Sequence, residues 1–183
     1  NLFVAVSNSG TGNRVMTSSD GITWTSRTSA ADNNWTSICW ANDLQIFVAV
    51  SNSGTNNRIM TSSDGITWTI RNNIVDNDWT SICWSPELNL FVAVANSGTD
   101  RIMYTYNGIE WFVGTSNPQF PINNIIWANS LNKFLITCDN TYTYSNITYS
   151  NTNLMTTSNW YTLFTYSKLN TCFSHTYLFV KIT

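Results

Sequence analysis

Three arginines are the first candidates for chemistry in this 183-residue chain. Each closes a short polar run, as Asn13-Arg14, Asn57-Arg58 and Asp100-Arg101. Downstream of the first two come Asp32 with Asn34 and Trp35, then Asp76 with Asp78 and Trp79. Amide and guanidinium donors make directional hydrogen bonds to hydroxyls, and an indole offers a flat apolar surface, so this set suits a glycan or a protein ligand. The competing reading is architectural: the arginines tie a loop to the next repeat, and Trp35 and Trp79 pack at strand starts. Either way the groups are one position seen several times, and copies distributed over successive repeats do not build one asymmetric catalytic centre.

No other constellation supports a reaction. Glu87 and Glu110 are the only glutamates and neither has a nameable partner, whereas glycosidase chemistry needs two carboxyl groups roughly 5 to 10 Å apart. His175 is the lone histidine, without the spacing of a zinc site or a Ser-His-Asp set. Gly10-Thr11-Gly12 precedes no helix and so is no phosphate loop. Cys39 and Cys83 each sit inside Ser-Ile-Cys-Trp, and Cys172 falls in the same slot. Equivalent positions on neighbouring sheets are ~10 Å apart, too far for a disulfide, so these read as buried thiols acting as small hydrophobes. Cys138 lies outside the pattern and is open to reaction or pairing. The expectation is a protein that is not an enzyme, binds no metal and uses no cofactor.

Composition narrows the partners. Charged residues are only 10%, the net charge is -2 and the pI is about 5.1, which leaves no basic footprint for nucleic acid. The apolar runs are strand-sized, far below the roughly 20 residues of a spanning helix, so no membrane insertion is expected. Asn1-Leu2-Phe3 reads as the middle of a repeat and so as a processed product or a fragment. The sequons Asn34-Trp35-Thr36 and Asn146-Ile147-Thr148 favour an extracellular or particle-surface location.

The positioning elements follow from internal repetition. Phe3, Phe47 and Phe91 stand 44 residues apart, and the match extends through Val-Ala-Val, Asn-Ser-Gly-Thr and Arg-Ile-Met or Arg-Val-Met. Units start near residues 2, 46, 90, 133 and 178, the fourth strongly diverged, in a single domain over 1–183. Segments 35–40, 46–50, 58–61 and 66–69 are short, β-branched and aromatic, separated by turn residues, and predict four strands per unit. The second is apolar on both faces, so its sheet must be covered on both sides. An all-β chain of four-stranded antiparallel blades, about four of them, meets that demand as a β-propeller.

A turn motif joins the third and fourth strands. It is Ser18, Asp20, Gly21 and Trp24 in the first unit and Ser62, Asp64, Gly65 and Trp68 in the second, then Asn107, Gly108 and Trp111 in the third. These segments resemble the Asp box, or BNR repeat, of sialidase-like propellers, with Gly following Asp directly, one residue shorter than the usual form. The resemblance covers the first three units and implies a propeller in which the Asp shapes the turn and the Trp fills the space between blades. Sialidases of that fold use an arginine triad, a Tyr–Glu nucleophile and an Asp acid/base. That set does not assemble here, so the resemblance is to a non-catalytic member.

Antiparallel order puts the Asn/Arg loops and the linkers between blades at one end, opposite the Asp-Gly turns. Three functions stay open: a lectin-like or protein-binding propeller, an architectural repeat of a larger surface or virion-type particle, and a degenerate glycosidase. The spacing of Phe179 from Phe3, four repeats, leaves two ways to complete the first blade: a strand from Cys172-Phe173-Ser174, or self-association and further blades.

Overall fold

The computed structural model describes residues 2–72, 74–114, 118 and 120–138, with two short strands at 148–149 and 160–161. The β-branched and aromatic runs form strands in simple up-and-down order. The first sheet is β1 (Phe3–Val6), β2 (Val15–Ser18) and β3 (Thr25–Arg27). The second is β4 (Trp35–Ala41), β5 (Ile46–Ser51), β6 (Ile59–Ser62) and β7 (Thr69–Arg71). The third is β8 (Trp79–Ser85), β9 (Leu90–Ala95), β10 (Ile102–Thr105) and β11 (Phe112–Val113). A fourth begins with β12 (Ile122–Ala128) and β13 (Lys133–Cys138), and β14 (Thr148–Tyr149) pairs with β15 (Trp160–Tyr161). One 3-10 turn, Asn129–Leu131, is the only helical element among the described residues.

The repeat persists at the level of register. Phe3 faces Ser18, Phe47 faces Ser62, and Phe91 faces Thr105. First strands of successive sheets lie against one another, β4 on β8 and β8 on β12. Sheets stacked this way are consecutive blades of a β-propeller, and the chain is all-β. His175, Cys172, the fifth unit opened by Phe179 and the Asn146 sequon lie outside the described residues. So do the proposed completing strand and the side chain of Cys138, whose backbone ends β13 opposite Ile122.

Alternation along each second strand feeds two different cores. Val48 and Val50 join a cluster with Trp79, Phe91 and Trp111 of the third blade, while Ala49 joins Val15 and Trp35 in the cluster toward the first. Leu90, Val92 and Val94 pack against Ile122, Ile125 and Phe134 of the fourth. This explains a strand apolar on both faces. It also explains unequal exposure of equivalent residues: Met60 and Met103 are buried, whereas Met16 is 42% exposed on the face of the first blade that no described blade covers.

Two details depart from the sequence reading. The fourth strand starts at Thr69, not Ile66, because Asp64 Oδ1 holds the N–H groups of Ile66 and Thr67 in the turn at 2.8 and 2.7 Å. Each innermost strand also carries a bulge, between Trp35 and Ser37, Trp79 and Ser81, and Ile122 and Asn124. A bulge re-aims a side chain, and here Thr36 and Thr80 donate to the carbonyls of Trp79 and Ile122 in the next blade at 2.7 and 2.8 Å. Met60→Ala is expected to cost about 2 to 5 kcal/mol in denaturant unfolding, as for a large-to-small core change. The equivalent Met16→Ala is expected to stay within about 0.5 kcal/mol of the parent, since its side chain is half exposed.

Candidate functional site

The Asn/Arg loops and the linkers between blades meet, as their placement at one end requires. In the first blade Arg14 donates from Nη1 to Asn34 Oδ1 at 2.9 Å and from Nε to the Gly10 carbonyl at 2.9 Å. Asp32 lies 3.8 Å from Arg14 Nε and accepts the Gly12 N–H at 2.5 Å. The second copy is tighter. Arg58 donates to the carbonyls of Gly54 and Asn77 at 2.8 Å each and to Asp78 Oδ1 at 3.1 Å, with Asp76 3.5 Å from its Nε. In the third, Arg101 reaches the carbonyls of Gly98 and Pro118.

Each linker also grips the blade it leads into. Buried Asn33 donates from Nδ2 to the Asn57 carbonyl at 2.8 Å, and buried Asn77 donates to the Asp100 carbonyl at 2.6 Å. Gly54, at φ +100°, packs so closely on Asn33 and Asn57 that no Cβ fits. The unit is therefore a clasp: an arginine of one blade, an Asp-Asn linker, and the loop of the next blade. Asn33 and Asn77 were not singled out from sequence, although their place in Asp32-Asn33-Asn34-Trp35 and Asp76-Asn77-Asp78-Trp79 was a readable signal.

The structure brings the expected residues together but changes what they present. Trp35 and Trp79 are 2% and 0% exposed, so the expectation of an indole face offered to a ligand is corrected. Each lies in an inter-blade core with its Nε1–H satisfied by the carbonyl of Ala31 or Val75. Arg14 and Arg58 side chains are each 14% exposed and point their donors inward. What faces water is Asn13 with the carboxylates of Asp32 and Asp78. The Asn34 sequon is engaged as well, its amide oxygen on Arg14 and the Thr36 hydroxyl on the Trp79 carbonyl.

At the other end the Asp-Gly turns are self-contained. Asp20 Oδ1 accepts the N–H groups of Ile22 and Thr23 at 2.8 Å each and the Ser18 hydroxyl, and Asp64 repeats this with Ile66, Thr67 and Ser62. Those backbone donors hold both carboxyls at about 2, below the ordinary 3.8. Asn107 Oδ1 makes the same bonds to Ile109 and Glu110 without a charge. Gly65 has φ +72°, and a Cβ there would meet Leu2 at 2.8 Å, so glycine serves both the turn and the packing of one blade on another. Trp68 donates to the Gly65 carbonyl and packs toward the first blade, Trp111 is buried between the second and third, and Trp24 is half exposed on the uncovered face.

Cys39 and Cys83 are free thiols. Burial, with Cys83 nearby, pushes Cys39 up to about 12, which removes the thiolate a nucleophile or metal ligand needs. No cluster of His, Cys, Asp and Glu suited to a metal occurs among the described residues, and no described helix is long and apolar enough to cross a membrane.

No protein-family model matches this chain, and no curated protein sequence does. Among solved structures it is similar to YCF48 from Cyanidioschyzon merolae, with a TM-score of 0.44 and 17% identity. That match covers 81% of this chain, which spans about 56% of the other protein's length. A likeness at this level carries nothing about activity.

Arg58→Met is expected to destabilise the protein by about 1 to 3 kcal/mol in urea titration, because it removes the hydrogen bonds to the carbonyls of Gly54 and Asn77 and the ion pair to Asp78. Acid should act on the turns. A folded pKa near 2 against an ordinary 3.8 means a stabilisation complete above the ordinary value and lost as pH falls toward 2. The double variant Asp20→Asn, Asp64→Asn is expected to keep the turns, as Asn107 does, and to show a shallower fall of melting temperature between pH 5 and pH 2.

Proposed function

We propose that the chain is a non-enzymatic binding propeller of the Asp-box (BNR) type, related in fold to sialidases without their catalysis, that recognises a glycan or protein ligand. The observation that carries this reading is the clasp. The same loop and linker are held in the same way on successive blades, and rigid loops that leave Asn13, Asp32 and Asp78 at the surface are preorganised to bind at little entropic cost. Repetition supplies several weak sites that gain by avidity. The low charge and the sequons are consistent with an extracellular or particle-surface setting.

A second reading draws on the same geometry. All three arginines are spent on inter-blade bonds and both tryptophans on cores, as in a repeat whose task is assembly into a larger surface or virion-type particle. Degenerate glycosidase activity has little support: the two carboxylates brought together, Asp76 and Asp78, are both engaged by Arg58. A glycan array, a binding screen against purified proteins and an assay with a generic sialidase substrate separate the three. Saturable binding without turnover is expected. Turnover above the blank would refute the non-enzymatic assignment, and absence of any ligand would favour assembly.

A further inference from the structure

The turns between first and second strands and those between third and fourth strands emerge together at the end opposite the clasp. Each outer turn places a carboxylate beside an exposed isoleucine: Asp20 with Ile22, Asp64 with Ile66, and Glu110 with Ile109. The three isoleucines are 84%, 45% and 48% exposed. The third turn is instructive because it has diverged. It lost the aspartate to Asn107 yet gained Glu110 where the other copies have Thr23 and Thr67, so one negative charge and one isoleucine per turn survive. Of the inner turns, Asp43-Leu44 repeats the pairing and Leu131 is exposed in the fourth, whereas Leu88 packs half-buried on the core and Glu87 accepts the Trp127 Nε1–H.

This end is electrostatically one-sided. Arg14, Arg58 and Arg101 are held at the clasp, and Arg27 and Arg71 donate to Thr17 and Thr61 inside their own sheets. Among the described cations only Lys133 lies at the turn end, and no described ion pair involves the turn carboxylates. A groove of about 680 Å³ also lies at this end between the first two blades, walled by Phe3, Trp40 and Phe47 and edged by Asp64. Aliphatic side chains repeated at the surface of successive turns, among carboxylates and beside an apolar-walled groove, mark an interaction surface, not a solvated face.

We propose that the turn end docks a polypeptide segment presenting Lys or Arg beside aliphatic or aromatic side chains, with one apolar side chain seated in the groove. Charge complementarity selects this occupant: carboxylates repel nucleic acid and anionic lipid, while basic groups steer onto them and the isoleucines bury apolar partner surface. The inference rests on the binding reading above. It adds a second contact at the opposite end and names the chemistry of the partner seated there.

The test uses the full chain and three synthetic peptides of equal length, alternating Lys/Leu, Lys/Ser and Glu/Leu, followed by fluorescence anisotropy at low and high salt. The Lys/Leu peptide is expected to bind. The triple variant Ile22→Ser, Ile66→Ser, Ile109→Ser is expected to weaken it about tenfold or more. The pair Asp43→Asn, Glu110→Gln and added salt should each weaken it several-fold, and Ser26→Ala, exposed in the middle of edge strand β3, should leave it unchanged. Each altered side chain is at the surface, and melting curves confirm that each variant folds. No binding of the Lys/Leu peptide, equal binding of Lys/Ser, an inert isoleucine triple, or a larger effect of Ser26→Ala would overturn the proposal. Glycan binding without peptide binding would overturn it and leave the binding reading standing, whereas no binding of any kind would end both.

Discussion

Val48, Ala49 and Val50 point alternately into two different cores, and every other feature follows from that alternation. A strand apolar on both faces is stable only when a sheet covers each, so no blade is complete by itself. The hydrophobic term is non-directional and proportional to area, and area alone would let neighbouring sheets slide. Directional bonds set the stagger. The bulged threonines join the inner strands of the second, third and fourth blades and the Arg/Asn clasp joins the outer loops of the first, second and third, so the second and third blades are pinned near the axis and again at one end.

Polar satisfaction explains why a chain with so few charges spends them as it does. The arginine donors go to carbonyls of a turning loop and a linker, among them the Asn77 carbonyl that also accepts the Trp79 N–H, and Asn33 and Asn77 donate to the next loop from inside, where an uncompensated amide would be costly. At the opposite end the turns need no help from neighbours for their hydrogen bonds. Their Asp or Asn oxygen closes the loop internally, and Asn107 shows that the closure is a matter of acceptor geometry and not of charge.

Much of this was legible in the residues. The 44-residue period, the strands and the turn motif can be read directly, because they depend on local preference and repetition. Proximity of Arg14 to Asp32 and Asn34 also followed, from antiparallel order alone. Burial did not. An indole at the start of a strand reads the same whether it faces water or a neighbouring sheet, and Trp35 and Trp79 proved to face a sheet. Met16 and Met60 occupy one repeat position and differ in exposure because of what lies across the interface, which no local pattern records. The bulges were invisible for a related reason: an extra residue in a ladder leaves the period intact. Asn33 and Asn77 were hidden by abundance, since asparagine is common in the loops at that end of the chain's blades.

The inter-blade bonds made by the innermost strands share one property with a bearing on how such a chain arises and folds. Thr36 to Trp79, Thr80 to Ile122, Ser37 to Ile82 and Ser81 to Ile125 span 43, 42, 45 and 44 residues. Every one closes a loop of about one unit, so the entropic cost of each closure is the same along the chain and does not grow with the number of units. Assembly can then proceed by addition of neighbours, in the manner of a one-dimensional lattice. A gain or loss of sequence in whole units would leave every such bond with a partner at its usual separation, whereas a change of any other length would sever them all at one junction.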